Sequence, residues 1–291
     1  MIEKGMLPPN TGWGRYDQIA GIKSIIVKRS TDPIRGFFPP ALNFLTTILL
    51  TFLTLAVSAQ NKLRPVEELI HKTDPAWVQV SQWIQSAKNK VEILPVDTVN
   101  ARDALYKTQV TTRSPMGAIV YRTGGLLIDN GWIRILGSGN AQLNRTLPDW
   151  NKGRAFSEFG ETPPFLLIAD DAIGGFYLLN GGALGKDIGK IYYFSPDNLE
   201  YEPLNLTYTG FLQFCFDGDL EQFYKTTRWK NWQEEVSQLD GNQVFSFYPF
   251  LWSHEAKDIN KIARKVIPID EQYNLNMIFR KKLGLDKETV H

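Results

Sequence analysis

Phe165-Leu-Leu-Ile-Ala-Asp-Asp-Ala-Ile-Gly-Gly-Phe-Tyr-Leu-Leu-Asn180 is two short apolar runs on either side of an Asp-Asp…Gly-Gly break. Apolar runs of this length bounded by turn residues read as strands. Adjacent aspartates accept local amide hydrogens, and glycines supply the open backbone that a tight reversal demands. The stretch therefore predicts an antiparallel hairpin turning at Asp170, Asp171, Gly174 and Gly175.

Working outward, the same pattern repeats on both sides. Gly117–Arg122, Gly125–Asn130 and Trp132–Gly137 precede the hairpin as apolar runs broken by Gly and Asn, and all three read as strands. Lys190–Ser195 and Tyr201–Leu204 follow it and extend an antiparallel meander. Helical spacing appears at the two ends. Trp77, Val80, Ile84 and Ala87 make one stripe behind Thr73-Asp74-Pro75, which offers a cap and a proline at the first helical position. After a strand at Val91–Leu94, Asp97 can cap a second helix through Ala101, Ala104 and Leu105. Towards the C-terminus, Phe211, Phe214 and Cys215, then Trp229, Trp232, Val236 and Leu239, recur at helical intervals. A strand at Val244–Phe247 intervenes, and a last helix begins near Pro268 and closes at Gly284, with Arg280, Lys281 and Lys282 in its final turn. The expected class is α+β: a mostly antiparallel sheet flanked by N- and C-terminal helices.

Composition excludes several functions. The 291 residues are 43% hydrophobic and 12% aromatic, with 32 basic against 31 acidic side chains. That balance excludes a disordered acidic chain and lacks the basic footprint of a nucleic-acid binder. Ala41–Ala59 carries no charge, follows Lys28, Arg29 and Arg35, and ends in Val57-Ser58-Ala59, the small residues a signal peptidase accepts. Residues 1–40 are expected to be disordered or a mis-annotated leader, 41–59 to be a signal-peptide hydrophobic region or an N-terminal anchor, and 60–291 a single globular domain. Cleavage after Ala59 removes six basic and three acidic residues, which takes the net charge from +1 to −2. The expected location is exported, periplasmic or secreted after cleavage near Ala59, alternatively anchored by residues 41–59. Cys215 is the only cysteine, so an intramolecular disulfide cannot form.

Gly131-Trp132-Ile-Arg-Ile-Leu-Gly137-Ser-Gly139, Leu143–Trp150 (LNRTLPDW), the hairpin at 165–177 and Gly189-Lys-Ile-Tyr-Tyr-Phe-Ser-Pro196 together resemble a bacterial family known only as domain of unknown function 2625. Val266-Ile-Pro-Ile-Asp270 before a helix fits its C-terminal signature. The likeness runs from Val66 to Gly284 and implies a family but no activity. More distantly, the order of apolar strand, Ala-Asp-Asp-x-x-Gly-Gly, aromatic strand, Gly-x-Ile-Tyr-Tyr strand and aromatic helix is similar to the core of the Smi1/Knr4-type (SUKH) superfamily. That likeness implies a non-enzymatic α+β protein-binding module; many members are immunity proteins.

Chemistry-bearing residues are scattered. Asp217, Asp219 and Glu221 imitate the start of a calcium loop, but the loop glycine and closing glutamate are misplaced, and helix capping is the simpler role. His71, His254 and His291 do not form a spaced zinc signature, and Ser253-His254-Glu255 are consecutive, so their side chains diverge. Cys215, within Leu-Gln-Phe-Cys-Phe, reads as an inert core thiol. No metal and no cofactor is expected. The leading expectation is an exported, non-enzymatic module that binds another protein through the turn at Asp170, Asp171, Gly174 and Gly175 and through aromatics such as Trp132 and Trp150. The alternative is an envelope enzyme or glycan-binding protein that sets Asp170, Asp171 or Glu161 as acid/base groups in an aromatic cleft.

Overall fold

A computed structural model describes residues 63–286. The leader readings at 1–40 and 41–59 lie outside the described residues. In chain order the elements are α1 (Val66–Leu69), α2 (Pro75–Ser86), β1 (Val91–Leu94), α3 (Thr98–Thr108), α4 (Pro115–Arg122), β2 (Gly125–Ile128), β3 (Ile133–Leu136), α5 (Leu147–Asn151), β4 (Phe165–Asp171), β5 (Phe176–Asn180), β6 (Ile191–Phe194), β7 (Tyr201–Pro203), α6 (Tyr208–Asp217), α7 (Leu220–Phe223), α8 (Trp232–Ser237), β8 (Gln243–Tyr248), β9 (Ala263–Pro268) and α9 (Ile269–Lys282). The class is α+β, as the sequence predicts. Among the described residues no helix is long and apolar enough to cross a membrane.

Strands β1 to β7 form one seven-stranded sheet whose spatial order is the chain order, with every neighbouring pair antiparallel. Short turns join β2 to β3 and β4 to β5, whereas α3 and α4 lie between β1 and β2 and α5 lies between β3 and β4. The faces at the centre of the sheet are covered differently. Tyr177 and Tyr193 share one face and meet α6 and the residue after α7: Tyr177 lies 4.7 Å from Phe211, and Tyr193 lies 6.5 Å from Tyr224. Phe176, on the other face, packs edge-on against Tyr273 of α9 at 5.2 Å. The second sheet, β8–β9, docks beside the β4–β5 turn, where the Phe245 amide donates to the Ala172 carbonyl at 2.8 Å. One buried cluster runs from Val80, Leu105 and Ile119 of the N-terminal helices through Leu126, Ile133, Ile135 and Ile168 to Trp229 and Phe247.

Four local expectations need correction. Gly117–Arg122 is not a strand but most of α4. Ser114 accepts the Gly117 amide at 3.1 Å and Pro115 occupies the first turn, so the cap and the i, i+3, i+4 spacing of Met116, Ile119 and Val120 outweigh the β-branched run. Asp74 does not cap α2. Its backbone is left-handed (φ 45°), and its carboxylate accepts the Arg122 Nε–H at 2.5 Å, tying the start of α2 to the end of α4. The helix read from Trp229 begins only at Trp232, because Asn231 sits at φ 66° and stops propagation upstream. Strand β9 was not foreseen: Arg264 and Lys265 hide an edge strand that pairs with β8 over six positions. Asp97 caps α3 as expected, accepting from the Val99 and Asn100 amides at 2.9 Å.

Replacing Ser114 by Ala leaves the Gly117 amide without its acceptor. We expect a loss of about 1 kcal/mol, and a melting temperature lowered by roughly 2–4 °C, measured by thermal and urea unfolding.

Candidate functional site

Asp170 and Asp171 end β4 and, as successive strand residues, point to opposite faces. On one face Asp170 stands directly across from Arg134 of β3. Its Oδ1 accepts from Arg134 Nε at 2.6 Å, and its Oδ2 accepts from Arg145 Nη1 at 2.6 Å. Other guanidinium hydrogens reach carbonyls: Arg134 donates to Gln243 and Asp171 at 2.7 and 2.6 Å, and Arg145 donates to Gly241 at 2.8 Å. Arg134, Arg145 and Asp170 are all buried. Burial also lowers the Arg145 guanidinium from its ordinary value, against the attraction of Asp170.

On the other face Asp171 serves the turn. Its Oδ1 accepts from the Ile173 and Gly175 amides at 3.1 and 2.8 Å, as turn chemistry predicts. Its Oδ2 accepts from the Tyr193 and Tyr224 hydroxyls at 2.7 and 3.1 Å, and the Tyr177 and Tyr224 hydroxyls bond to each other. Burial raises the Asp171 carboxyl, with the Tyr193 hydroxyl and the turn amides opposing it. Burial, followed by the Asp171 charge, pushes all three tyrosines well above their ordinary range. Gly174 holds φ 80°, and a Cβ on Gly175 would fall 2.3 Å from the Tyr193 hydroxyl and 2.6 Å from Asp171 Oδ2, so a side chain there would break the network.

All six residues singled out by sequence are therefore interior. Asp170, Asp171, Gly174 and Gly175 form a buried turn, and Trp132 and Trp150 are buried as well. Trp132 lies against Tyr224, Trp229 and Trp232, with the Arg228 guanidinium 4.8 Å from its ring and 3.8 Å from that of Trp232. Trp150 is flanked by Arg145 at 4.6 Å and Arg154 at 3.8 Å. These rings spend their faces on the protein's own cations. A partner approaching this fold meets none of the six directly.

The other candidates also resolve into local roles. Asp219 caps α7 through the Gln222 amide at 2.8 Å, Asp217 accepts from the Lys88 amide, and Glu221 pairs with Arg228 at 3.0 Å. Cys215 is buried, and desolvation holds its thiol well above the ordinary value. Among the described residues no group of three or more His, Cys, Asp or Glu is placed to hold a metal ion. The acid/base reading of Asp170 and Asp171 is corrected on geometry: both are enclosed, and neither lines a cleft, so neither reaches a substrate.

Two clefts do open to the surface near α3. An apolar one of about 350 Å³ is lined by Val110, Met116, Pro148, Phe156, Phe165 and Leu179, with Lys107, Gln109 and Glu161 among its polar residues. Of the carboxylates considered as acid/base groups, Glu161 lines this cleft, and it accepts the Ser157 amide at 2.9 Å. A polar cleft of about 480 Å³ is lined by Asp97, Asp103 and Asp149 together with Asn100, Asn140 and Asn144. Neither was visible in the sequence, because each gathers loops and helix ends separated by tens of residues.

This architecture, an antiparallel meander locked by a buried Arg–Asp–Arg bridge and flanked by helices, defines an α+β protein. Residues 66–272 match the model of the family described as protein of unknown function DUF2625, and the chain belongs to that family. It is 47% identical over 223 residues to an uncharacterised protein of Haemophilus influenzae, an alignment covering 77% of this chain and 98% of that relative. It is also 45% identical over 215 residues to the uncharacterised Escherichia coli protein YbfG, covering 73% of this chain and 95% of that one.

Two outcomes follow. Asp170→Asn leaves two buried guanidinium groups without a countercharge, so we expect a loss of about 3–5 kcal/mol in urea unfolding; joint replacement of Arg134, Arg145 and Asp170 by apolar residues of similar volume should recover most of it. Asp171 carries the opposite pH signature from a salt-bridged carboxylate. Its folded value lies above the unfolded one, so its stabilising contribution is complete below the ordinary aspartate value of 3.8 and is lost as pH rises through the raised value. The stability difference between wild type and Asp171→Asn, measured by urea unfolding from pH 3.5 to 7, should therefore shift towards the variant as pH rises.

Proposed function

We propose that the chain is an exported, non-enzymatic module that grips another protein through the apolar cleft beside α3. The observation that carries this reading is the cleft itself. Val110, Met116, Phe156, Phe165 and Leu179 leave about 350 Å³ of apolar space at the surface, rimmed by Lys107, Gln109 and Glu161. An apolar centre with a polar rim is the anatomy of a protein-binding hot spot, and this volume accommodates one or two large apolar side chains of a partner. It lies at the low end of the range for small-molecule sites. The binding surface thus moves from the buried turn at Asp170 to the opposite ends of β4 and β5. Export is supported by the uncharged run at 41–59, the basic residues before it and the small residues of Val57-Ser58-Ala59. The near-neutral charge beyond Ala59 argues against nucleic acid as the partner.

The test is affinity capture from the organism's own envelope fraction, with Val110→Asp and Phe156→Asp as controls whose folding is verified by thermal unfolding. We expect a saturable protein partner that the wild type retains and both variants lose by about tenfold or more. The intact mass of the captured domain should begin at Gln60. Equal retention by the folded variants overturns the reading, as does a bound apolar small molecule with no protein partner.

A further inference from the structure

We propose that the outer edge of β1 takes an extended, basic segment of a partner protein as an added strand. β1 is the outermost strand of the seven-stranded sheet. Its hydrogen-bonding phase is set by the Lys90 carbonyl, which accepts the amide of Asp129, the residue after β2, at 2.8 Å. In an antiparallel ladder the pattern alternates, so Lys90, Glu92 and Leu94 turn their backbone groups towards β2, and Val91 and Ile93 turn theirs outward. Just before the strand, the edge is occupied: the Asn89 amide reaches the Phe216 carbonyl at 2.9 Å. From Val91 to Ile93 no hydrogen bond among the described residues covers it; just beyond, the Asn140 side-chain amide donates to the Pro95 carbonyl at 3.3 Å.

Edge strands in monomeric proteins are usually masked by lysine, bulges or a covering loop. The outward-facing positions of β1 have none of these and are bordered by exposed apolar side chains instead. Ile93 is 40% exposed, Val96 39% and Val99 74%, three such residues within seven positions. Strand addition supplies affinity through the main chain and selectivity through whatever lies along the added strand's path.

The path beyond Pro95 selects for charge. It opens on the polar cleft of about 480 Å³ lined by Asp97, Asp103 and Asp149. Lys107 lies 2.7 Å from Asp103 and 3.1 Å from Asp149 and has no ion pair with Asp97, so three carboxylates line the cleft against one paired cation and it stays negative. Every pairing in this sheet is antiparallel. An added strand continuing that order places the residues preceding its paired stretch over the cleft, and lysine or arginine there meets the carboxylates. This surface shares no lining residue with the apolar cleft, so it stands whether or not that cleft binds a partner.

A synthetic ten-residue peptide, two lysines followed by alternating valine and threonine, tests the assignment against the folded domain by calorimetry and amide hydrogen exchange. Saturable binding is expected, with new exchange protection at the Val91 and Ile93 amides. Replacing the peptide's lysines by glutamates should weaken it about tenfold or more, and Asp103→Asn should weaken it in the same direction. Ile93→Pro removes an outward amide, a position where edge strands tolerate proline. Val99→Lys sets a repelling charge at an already exposed site, so folding is not at stake there. Both should reduce binding. No saturable binding, or binding indifferent to peptide charge and to both variants, overturns the proposal. A dimer of the free domain in sedimentation that Ile93→Pro abolishes also overturns it, since a second copy would then cover the edge.

Discussion

Taking a charge out of water costs several kcal/mol per ion even after the protein relaxes, and only well-placed opposite charges and hydrogen bonds recover that cost. Asp170 imposes this constraint on the whole fold. It requires Arg134 across the β3–β4 ladder and Arg145 from the loop before α5, each at 2.6 Å. The two arginines in turn require the carbonyls of Gly241 and Gln243 at the entry to β8. Segments more than 100 residues apart in the chain are joined by side chains that cannot be left unpaired, as the 109-residue separation of Arg134 and Gln243 shows. The constraint also selects register. A one-residue slip in β4 would exchange the two faces, turning Asp170 into the tyrosine cluster and Asp171 towards the arginines.

Much of this was legible in the chain and some was not, for identifiable reasons. The meander was legible because strand runs and turn residues alternate locally, and local signals survive folding. α4 was misread because Ala118–Tyr121 is apolar throughout and fits either period; the deciding information was Ser114-Pro115, just upstream of the run. The turn role of Asp171 was legible from its neighbours two and four residues on, whose amides it accepts. The pairing of Asp170 was not, since its partners lie 36 and 25 residues away. A clue was present: Arg134 interrupts Ile-Arg-Ile-Leu, and a charge inside an apolar strand calls for an opposite charge in the strand beside it. The abundance of tryptophan likewise has an internal cause. Arg228 sits over Trp132 and Trp232 while bonding Asp129 and Glu221, and Arg154 sits over Trp150. Rings that looked free for a partner are platforms for the protein's own guanidinium groups.

The same strands carry both the locked interior and the open surface. Phe165 and Leu166 at the start of β4, and Leu179 near the end of β5, line the apolar cleft; Asp170, Asp171 and Phe176 at the opposite ends of these strands are held by ion pairs, hydrogen bonds and ring contacts. A surface built on strands pinned in this way would lose little freedom on binding, so little ordering cost would oppose a ligand there. The interior network thus acts on the surface by fixing the framework, without touching any ligand. A substitution at Asp170 would disturb the cleft only by loosening β4, whereas a substitution at Val110 would alter its lining and leave the framework in place.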